Sequence, residues 1–242
     1  MRPYDQYCPI ARAAEVLGDR WTLLIVRELT LGPEGFNEIG RGLPRMSRGL
    51  LSQRLRHLEE LGVVERSPRG DGKASAYVLT PAGEELRGLI QGLGEWGARW
   101  AFGEPREAEL DAPLLLWKIC RRIDDGPRAE RTVVRIDFRD DRSWYWVVLD
   151  ANGASLCLKN PGFEVDVELR TDLRTLFEVW HGRRDLADAL GDRTLRLEGQ
   201  RGRVQLFRNL LARLSPMAHA VRAAQEGAGA RARELPADGA TR

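Results

Sequence analysis

Lysine is almost missing from this chain of 242 residues: Lys73, Lys118 and Lys159 are the only three among 38 basic residues, and arginine supplies the rest. Genomic base composition is the simplest account of that bias. Cysteine is as sparse. Cys8, Cys120 and Cys157 are spread along the chain and make neither a disulfide framework nor a zinc-ligand pattern. Reduced thiols in the cytoplasm are therefore expected. No apolar run approaches the roughly 20 residues that span a bilayer, and the opening "MRPYDQYCPI" has no apolar core of a secretory signal. Neither a membrane nor export is expected. The three histidines, His57, His181 and His219, are far apart, and no glycine-rich phosphate loop or ordered Ser/His/Asp set accompanies them. Nothing in the sequence points to an enzyme, a cofactor or a bound metal.

What the chain does hold is a local excess of positive charge. The net charge is only +2, yet five arginines and no acid lie between Arg41 and His57. The surrounding pattern is helical. Pro9 suits a first helical position, where its missing N–H costs nothing. Ile10, Ala13, Ala14 and Leu17 share one face before Gly18-Asp19, and a second helix carries Trp21, Leu24, Ile25 and Leu29 up to Gly32-Pro33. After "FNEIGRGL" and "PRMS", Ser47 is a good N-cap for a helix whose stripe is Leu51, Leu55, Leu58 and Leu61, closed by Gly62. Two strand-like runs, "VVERS" and "ASAYVLT", flank "PRGDGK", a hairpin turn by composition. Thr80-Pro81 then starts a long helix with Leu86, Leu89, Ile90, Leu93, Trp96 and Trp100 on its stripe.

This order is that of a winged helix-turn-helix. The leucines of the fourth helix must face a core. Gly49, Gln53, Arg56 and Glu60 then point outward, flanked by Arg48 and Ser52. Arginine can pair with guanine and glutamine with adenine in a major groove. Arg45 and Arg54 suit phosphates, which position a protein without reading sequence. Ser47 opens the same helix, and Arg69 and Lys73 at the hairpin tip are expected at an adjacent minor groove or its phosphates. The alternative is a merely solvated basic face, but the second basic element on the hairpin favours double-stranded DNA. One such helix makes too few base contacts to select an operator, so a two-fold homodimer is expected. Leu93, Trp96 and Trp100 are its candidate interface.

Residues from about 7 to 102 resemble the HxlR family of bacterial winged-helix regulators. The likeness rests on "YCPIARAAEVLGDRWTLLIVRELTLGP", "FNEIGRGLPRMSRGLLSQRLRHLEELGVVER" and "AYVLTPAGEEL". It implies a dimer that binds an operator and represses or activates nearby genes. Cys8 precedes Pro9 at a helix start, where free N–H groups and the helix dipole can lower a thiol pKa. The resemblance implies a redox role for some cysteines at this "CP" position; the alternative is a small residue that seats the helix.

The second half reads as α+β. "RTVVRIDFRD", "SWYWVVLD", "ASLCLKN", "FEVDVELR" and "TLRLEG" are strand candidates, with helices after Thr171 and Asp185 and at "RVQLFRNLLARL". The stretch from "FEVDVELR" to "RNLL" is similar to sterol-carrier-protein domains. That resemblance implies one mostly antiparallel sheet backed by helices around an apolar tunnel. Trp144, Trp146, Phe177 and Trp180 are candidate pocket residues for an apolar small molecule, with His181, Arg183 and Arg184 as candidate polar groups; a filled core is the alternative. The expected layout is an α+β chain. A winged helix-turn-helix domain covers residues 1–103, a charged linker 104–113, a sterol-carrier-like domain 114–215 and a partly disordered tail 216–242. The expected function is a dimeric transcriptional regulator whose second domain answers to a ligand. The alternatives are an oligomerisation or protein-interaction platform there, or a lipid-carrier or enzyme module.

Overall fold

A computed structural model describes residues 3–32, 34–68, 75–124, 128–140, 143–213 and 215–234. The chain divides into two compact units, Met1–Leu93 and Gly94–Arg242. The division falls inside the long helix, about ten residues before the boundary expected from composition.

In the first unit, α1 (Pro9–Leu17) and α2 (Thr22–Leu29) precede α3 (Phe36–Gly42) and α4 (Arg48–Glu60). Ser47 caps α4, its hydroxyl accepting from the Leu50 N–H at 3.3 Å. Leu51, Leu55 and Leu58 are buried as their spacing predicts, against Ile25, Val26, Leu29, Ile39, Leu43 and Met46. Gly62, at φ +67°, turns the chain out of α4 in the left-handed region that glycine adopts without a Cβ penalty. Next, β1 (Val64–Ser67) pairs antiparallel with β2 (Ala76–Leu79), register Val64 to Leu79. A short bridge that the sequence does not signal adds Glu34 to the edge of β2: Glu34 and Tyr77 exchange two backbone hydrogen bonds, of 3.1 and 2.8 Å. The hairpin tip, with Arg69 and Lys73, lies outside the described residues.

The single long helix expected after Thr80 is two: α5 (Pro81–Glu84) and α6 (Leu86–Trp100). Gly83 accounts for the tight start, because a Cβ there would overlap the Val63 carbonyl. Leu86 and Ile90 pack on the core of the first unit.

The second unit holds α7 (Ala112–Ile123), β3 (Thr132–Phe138), β4 (Trp144–Asp150), β5 (Gly153–Cys157) and β6 (Val167–Thr171). These are followed by α8 (Leu173–His181), α9 (Leu186–Gly191), β7 (Arg196–Gly199), α10 (Arg201–Leu211) and α11 (Ala218–Glu234). One sheet runs in the order β5-β4-β3-β6-β7. Only β3 and β6 are parallel; the other three pairings are antiparallel. Alternation sends Val134, Ile136, Phe138, Tyr145, Val147 and Leu149 to one face, where they pack with Leu116, Ile119, Leu176, Trp180 and Phe207 of α7, α8 and α10. The other face carries Arg135, Asp137, Trp144, Trp146 and Glu168, with Arg135 and Glu168 paired at 2.7 Å.

The tail departs from expectation. Residues 218–234 are helical rather than disordered. Its apolar anchor is made of small residues, Ala218 and Val221, both buried, with Ala218 seated against Gly182. Arg222 reaches Asp185 at 2.6 Å. A composition rich in Ala, Gly and Arg hides such a contact, because the docking comes from close backbone approach and not from large side chains.

Candidate nucleic-acid interface

α4 positions the surface that matters. With its leucines locked in the core, the opposite side of the helix faces outward. Gln53 and Arg56 are exposed there and make no hydrogen bond or ion pair through their side chains with another described residue; Ser52 is half-buried beside them. Arg48 is exposed too but is already oriented. Its Nη2 donates to Asn37 Oδ1 at 3.0 Å, and its guanidinium lies 5.1 Å from the centre of the Phe36 ring. The carbon stem of Arg48 is thereby fixed by α3, a support that no sequence motif announces. Arg45 lies exposed in the turn before α4. Ser47 spends its hydroxyl on the cap.

Arg54 is the correction in this group. Expected at phosphates, it is half-buried and forms an ion pair with Asp19, in the loop between α1 and α2. Its Nε is buried without a hydrogen-bond partner among the described residues. Residue 54 falls on the flank of the leucine stripe, close enough to the core to be drawn in. An Arg54 side chain so engaged ties α4 to the α1–α2 loop. On the hairpin, Arg66 of β1 also turns back, pairing with Glu59 at 2.9 Å and stacking over Tyr77 at 5.2 Å.

Cys8 is the N-cap residue of α1, half-buried, with no side-chain cap hydrogen bond. Cys120 is buried in the second unit, where burial pushes its thiol pKa far upward, with Cys157 and Asp124 adding to the shift. It is a core residue.

The four candidate pocket residues of the second unit do not come together. Trp180 is buried in the core and Phe177 packs beside it. Trp144 and Trp146 occupy the opposite face of the sheet, where Trp144 stacks under Arg135 at 4.9 Å. Strand alternation decides this: residues 144 and 146 share a face with each other and not with Tyr145, which meets the helices. A cavity in the second unit lies elsewhere, under residues 101–109 and against the C-terminal half of α8, with a volume of about 480 Å³. His181 and Arg183 line it as polar groups, with Phe177. Arg184 instead pairs with Asp192. Sequence reasoning missed Phe102 and Glu104, whose stretch reads as a charged linker.

The family model for HxlR-like helix-turn-helix proteins matches residues 16–104, which contain α2 to α6. YvaP of Bacillus subtilis (strain 168), an HTH-type transcriptional regulator, is 35% identical over 98 residues, which are 40% of this chain and 91% of YvaP. The chain belongs to the HxlR-like helix-turn-helix family. A second HTH-type transcriptional regulator of the same kind, MT3179 of Mycobacterium tuberculosis (strain CDC 1551 / Oshkosh), is 44% identical over 91 residues. Those residues are 36% of this chain and 56% of MT3179, so the chain spans about half the length of that relative. The structure of the reduced form of YodB from B. subtilis, also a transcriptional regulator, is 33% identical and covers 40% of this chain and 96% of its own, with a TM-score of 0.35. Among the described residues no helix is long and apolar enough to cross a membrane, and no group of acidic, His and Cys side chains could hold a metal ion.

Proposed function

We propose that this protein is a transcriptional regulator that reads operator DNA with α4, acts as a two-fold homodimer in the cytoplasm, and answers to a small molecule bound in its second unit. The observation that carries the DNA reading is the outward face of α4. Gln53 and Arg56 have no partner among the described residues on a helix whose other side is anchored by three buried leucines, and Arg48 is braced next to them. Side chains that fold back on the protein cannot meet base edges; these two do not fold back.

Arg56→Ala and Gln53→Ala are each expected to weaken operator binding by about 1–3 kcal/mol and to relax base preference. Fluorescence anisotropy on genomic fragments selected by the protein, against a scrambled duplex, measures both. Equal losses on operator and scrambled DNA would mean that neither side chain reads bases.

The dimer reading rests on α6. Leu89, Leu93, Trp96 and Trp100 are 47–59% exposed along one helix. Adjoining large apolar side chains on a surface mark an interaction site, and two recognition helices one DNA turn apart need such a contact. Trp96→Glu and Trp100→Glu are expected to shift the protein to monomers in analytical ultracentrifugation, with operator affinity falling at the same protein concentration. A sterol-carrier likeness for the second unit is supported by its one mostly antiparallel sheet with α7, α8 and α10 on a single face. An apolar tunnel is not needed for the sensing role, because the cavity beside α8 offers a site of suitable size.

A further inference from the structure

Arginines on and beside α4 are held by the first unit in two ways. Arg54 meets the carboxylate of Asp19, and Arg66 that of Glu59, so each charge is neutralised where it stands. Arg48 has only neutral partners among the described residues. Its Nη2 donates to the Asn37 amide oxygen at 3.0 Å, and its guanidinium carbon lies 5.1 Å from the centre of the Phe36 ring. Both partners sit on the first turn of α3, which is seated in the core through Ile39.

This arrangement orients the cation without spending it. A guanidinium carries five N–H donors in a rigid plane. Asn37 takes one hydrogen of Nη2. Whichever of the two it is, one two-donor edge stays whole, either Nη1 with Nη2 or Nε with Nη2. Such an edge matches O6 and N7 of guanine. The Phe36 ring attracts the cation through its π face and uses none of its donors. Arg48 is also the first residue of α4, and the N-terminal residues of a recognition helix are those that meet base edges. Asn37 and Arg48 are both exposed, so their contact adds little to the stability of the unit. Its effect is on where the guanidinium points.

We propose that Asn37, a residue outside α4, sets base preference by positioning Arg48 to read one guanine in each half-site. The proposal rests on the DNA reading above and adds to it a positioning residue and a named base. Fixing a mobile arginine on binding costs about two- to tenfold in affinity. The brace removes that cost for the base that the held edge fits and for no other.

The test uses the full chain and operator duplexes selected by it, varied one base pair at a time and followed by fluorescence anisotropy. Arg48→Ala is expected to weaken the operator by about 5- to 150-fold and to flatten the preference at one guanine of each half-site. Asn37→Ala should lose about two- to tenfold at that same base pair, with the other base pairs, the salt slope and the melting temperature unchanged. In an Arg48→Ala background it should lose nothing more, because it acts through that guanidinium. Asn37→Asp keeps the acceptor and adds a negative charge. It should retain the guanine preference and weaken every duplex.

A tie that only fastens α3 to α4 would instead lower the melting temperature and weaken all duplexes alike. That pattern for Asn37→Ala, no loss at all, or additive losses in the double variant would overturn the positioning role and leave α4 as the reading helix. If Arg48→Ala weakens every duplex equally while Gln53→Ala and Arg56→Ala still alter preference, guanine reading by Arg48 is overturned and the rest of α4 stands. If all three act alike on every duplex, the DNA reading itself falls, and the proposal with it.

Discussion

Leu55→Ala is expected to destabilise the first unit by about 2–5 kcal/mol and to abolish operator binding at ordinary protein concentrations. Leu55 has no exposed surface and sits at the middle of the α4 stripe, between Leu51 and Leu58, packed into the core made by α2, α3 and the hairpin. Truncation to alanine removes the buried methyl groups and leaves a cavity in a core that the small unit can ill spare. A loss of that size takes a large share of the roughly 5–15 kcal/mol that holds a typical domain folded. Arg48, Gln53 and Arg56 then lose the rigid helix that sets their spacing. Leu55→Met, of similar volume, is expected to cost less than about 1.5 kcal/mol and to preserve binding. Urea unfolding followed by circular dichroism reads the stability, and anisotropy reads the DNA. If the alanine variant unfolds at the same midpoint as the parent, α4 is not anchored as described.

Acid is expected to loosen the second unit through His181. Burial, with Lys118 and Arg183 nearby, lowers its pKa from 6.5 to about 4. The folded state therefore resists a proton that the unfolded chain accepts. Stability is unaffected well above pH 6.5, falls as pH drops from about 6.5 to 4, and levels off below that, where both states are protonated. The full shift corresponds to about 3 kcal/mol. His181→Phe keeps a ring against Phe102 and Phe177 and removes the titration, so its unfolding midpoint should be flat across that window while the parent's falls. Asp172 and Asp192, whose pKa values are lowered, lose their contribution only below the ordinary carboxylate range and do not mimic this. Parallel pH curves for the two proteins would show that the ring at 181 is not buried.

The first unit was legible because its signals are local. A serine three residues before an amide it can cap, leucines three and four apart, and a glycine at a helix end act through neighbours along the chain, so Ser47, Leu51, Leu55, Leu58 and Gly62 could be assigned by spacing, while Leu61, expected on the same stripe, is the exposed C-cap residue of α4. The same periodicity misjudged Arg54. Spacing places it near the rim of the exposed face, but Asp19, 35 positions away, pulls it inward. Of the stripe expected on the long helix after Thr80, Leu86 and Ile90 pack on the core while Leu89, Leu93, Trp96 and Trp100 are exposed, and the close approach of Gly83 to Val63 at the helix start is invisible until the hairpin is folded.

In the second unit, alternation along β4 told which residues share a face but not which face is covered. That choice depends on where α7, α8 and α10 lie, and it separated Trp144 and Trp146 from Phe177 and Trp180. The segment 102–109 was least legible of all: "FGEPREAE" is charged and proline-containing, and its order comes from Arg174 and Arg183, about 70 to 80 positions further on. Sequence alone determined the family, the capped, leucine-striped helix α4 and the presence of a sheet-bearing second half, because periodic patterns and caps need only near neighbours. Tertiary structure alone decided which arginines stay free, where the cavity lies and that residues 218–234 form a helix, because those outcomes depend on charges and surfaces brought together from distant parts of the chain.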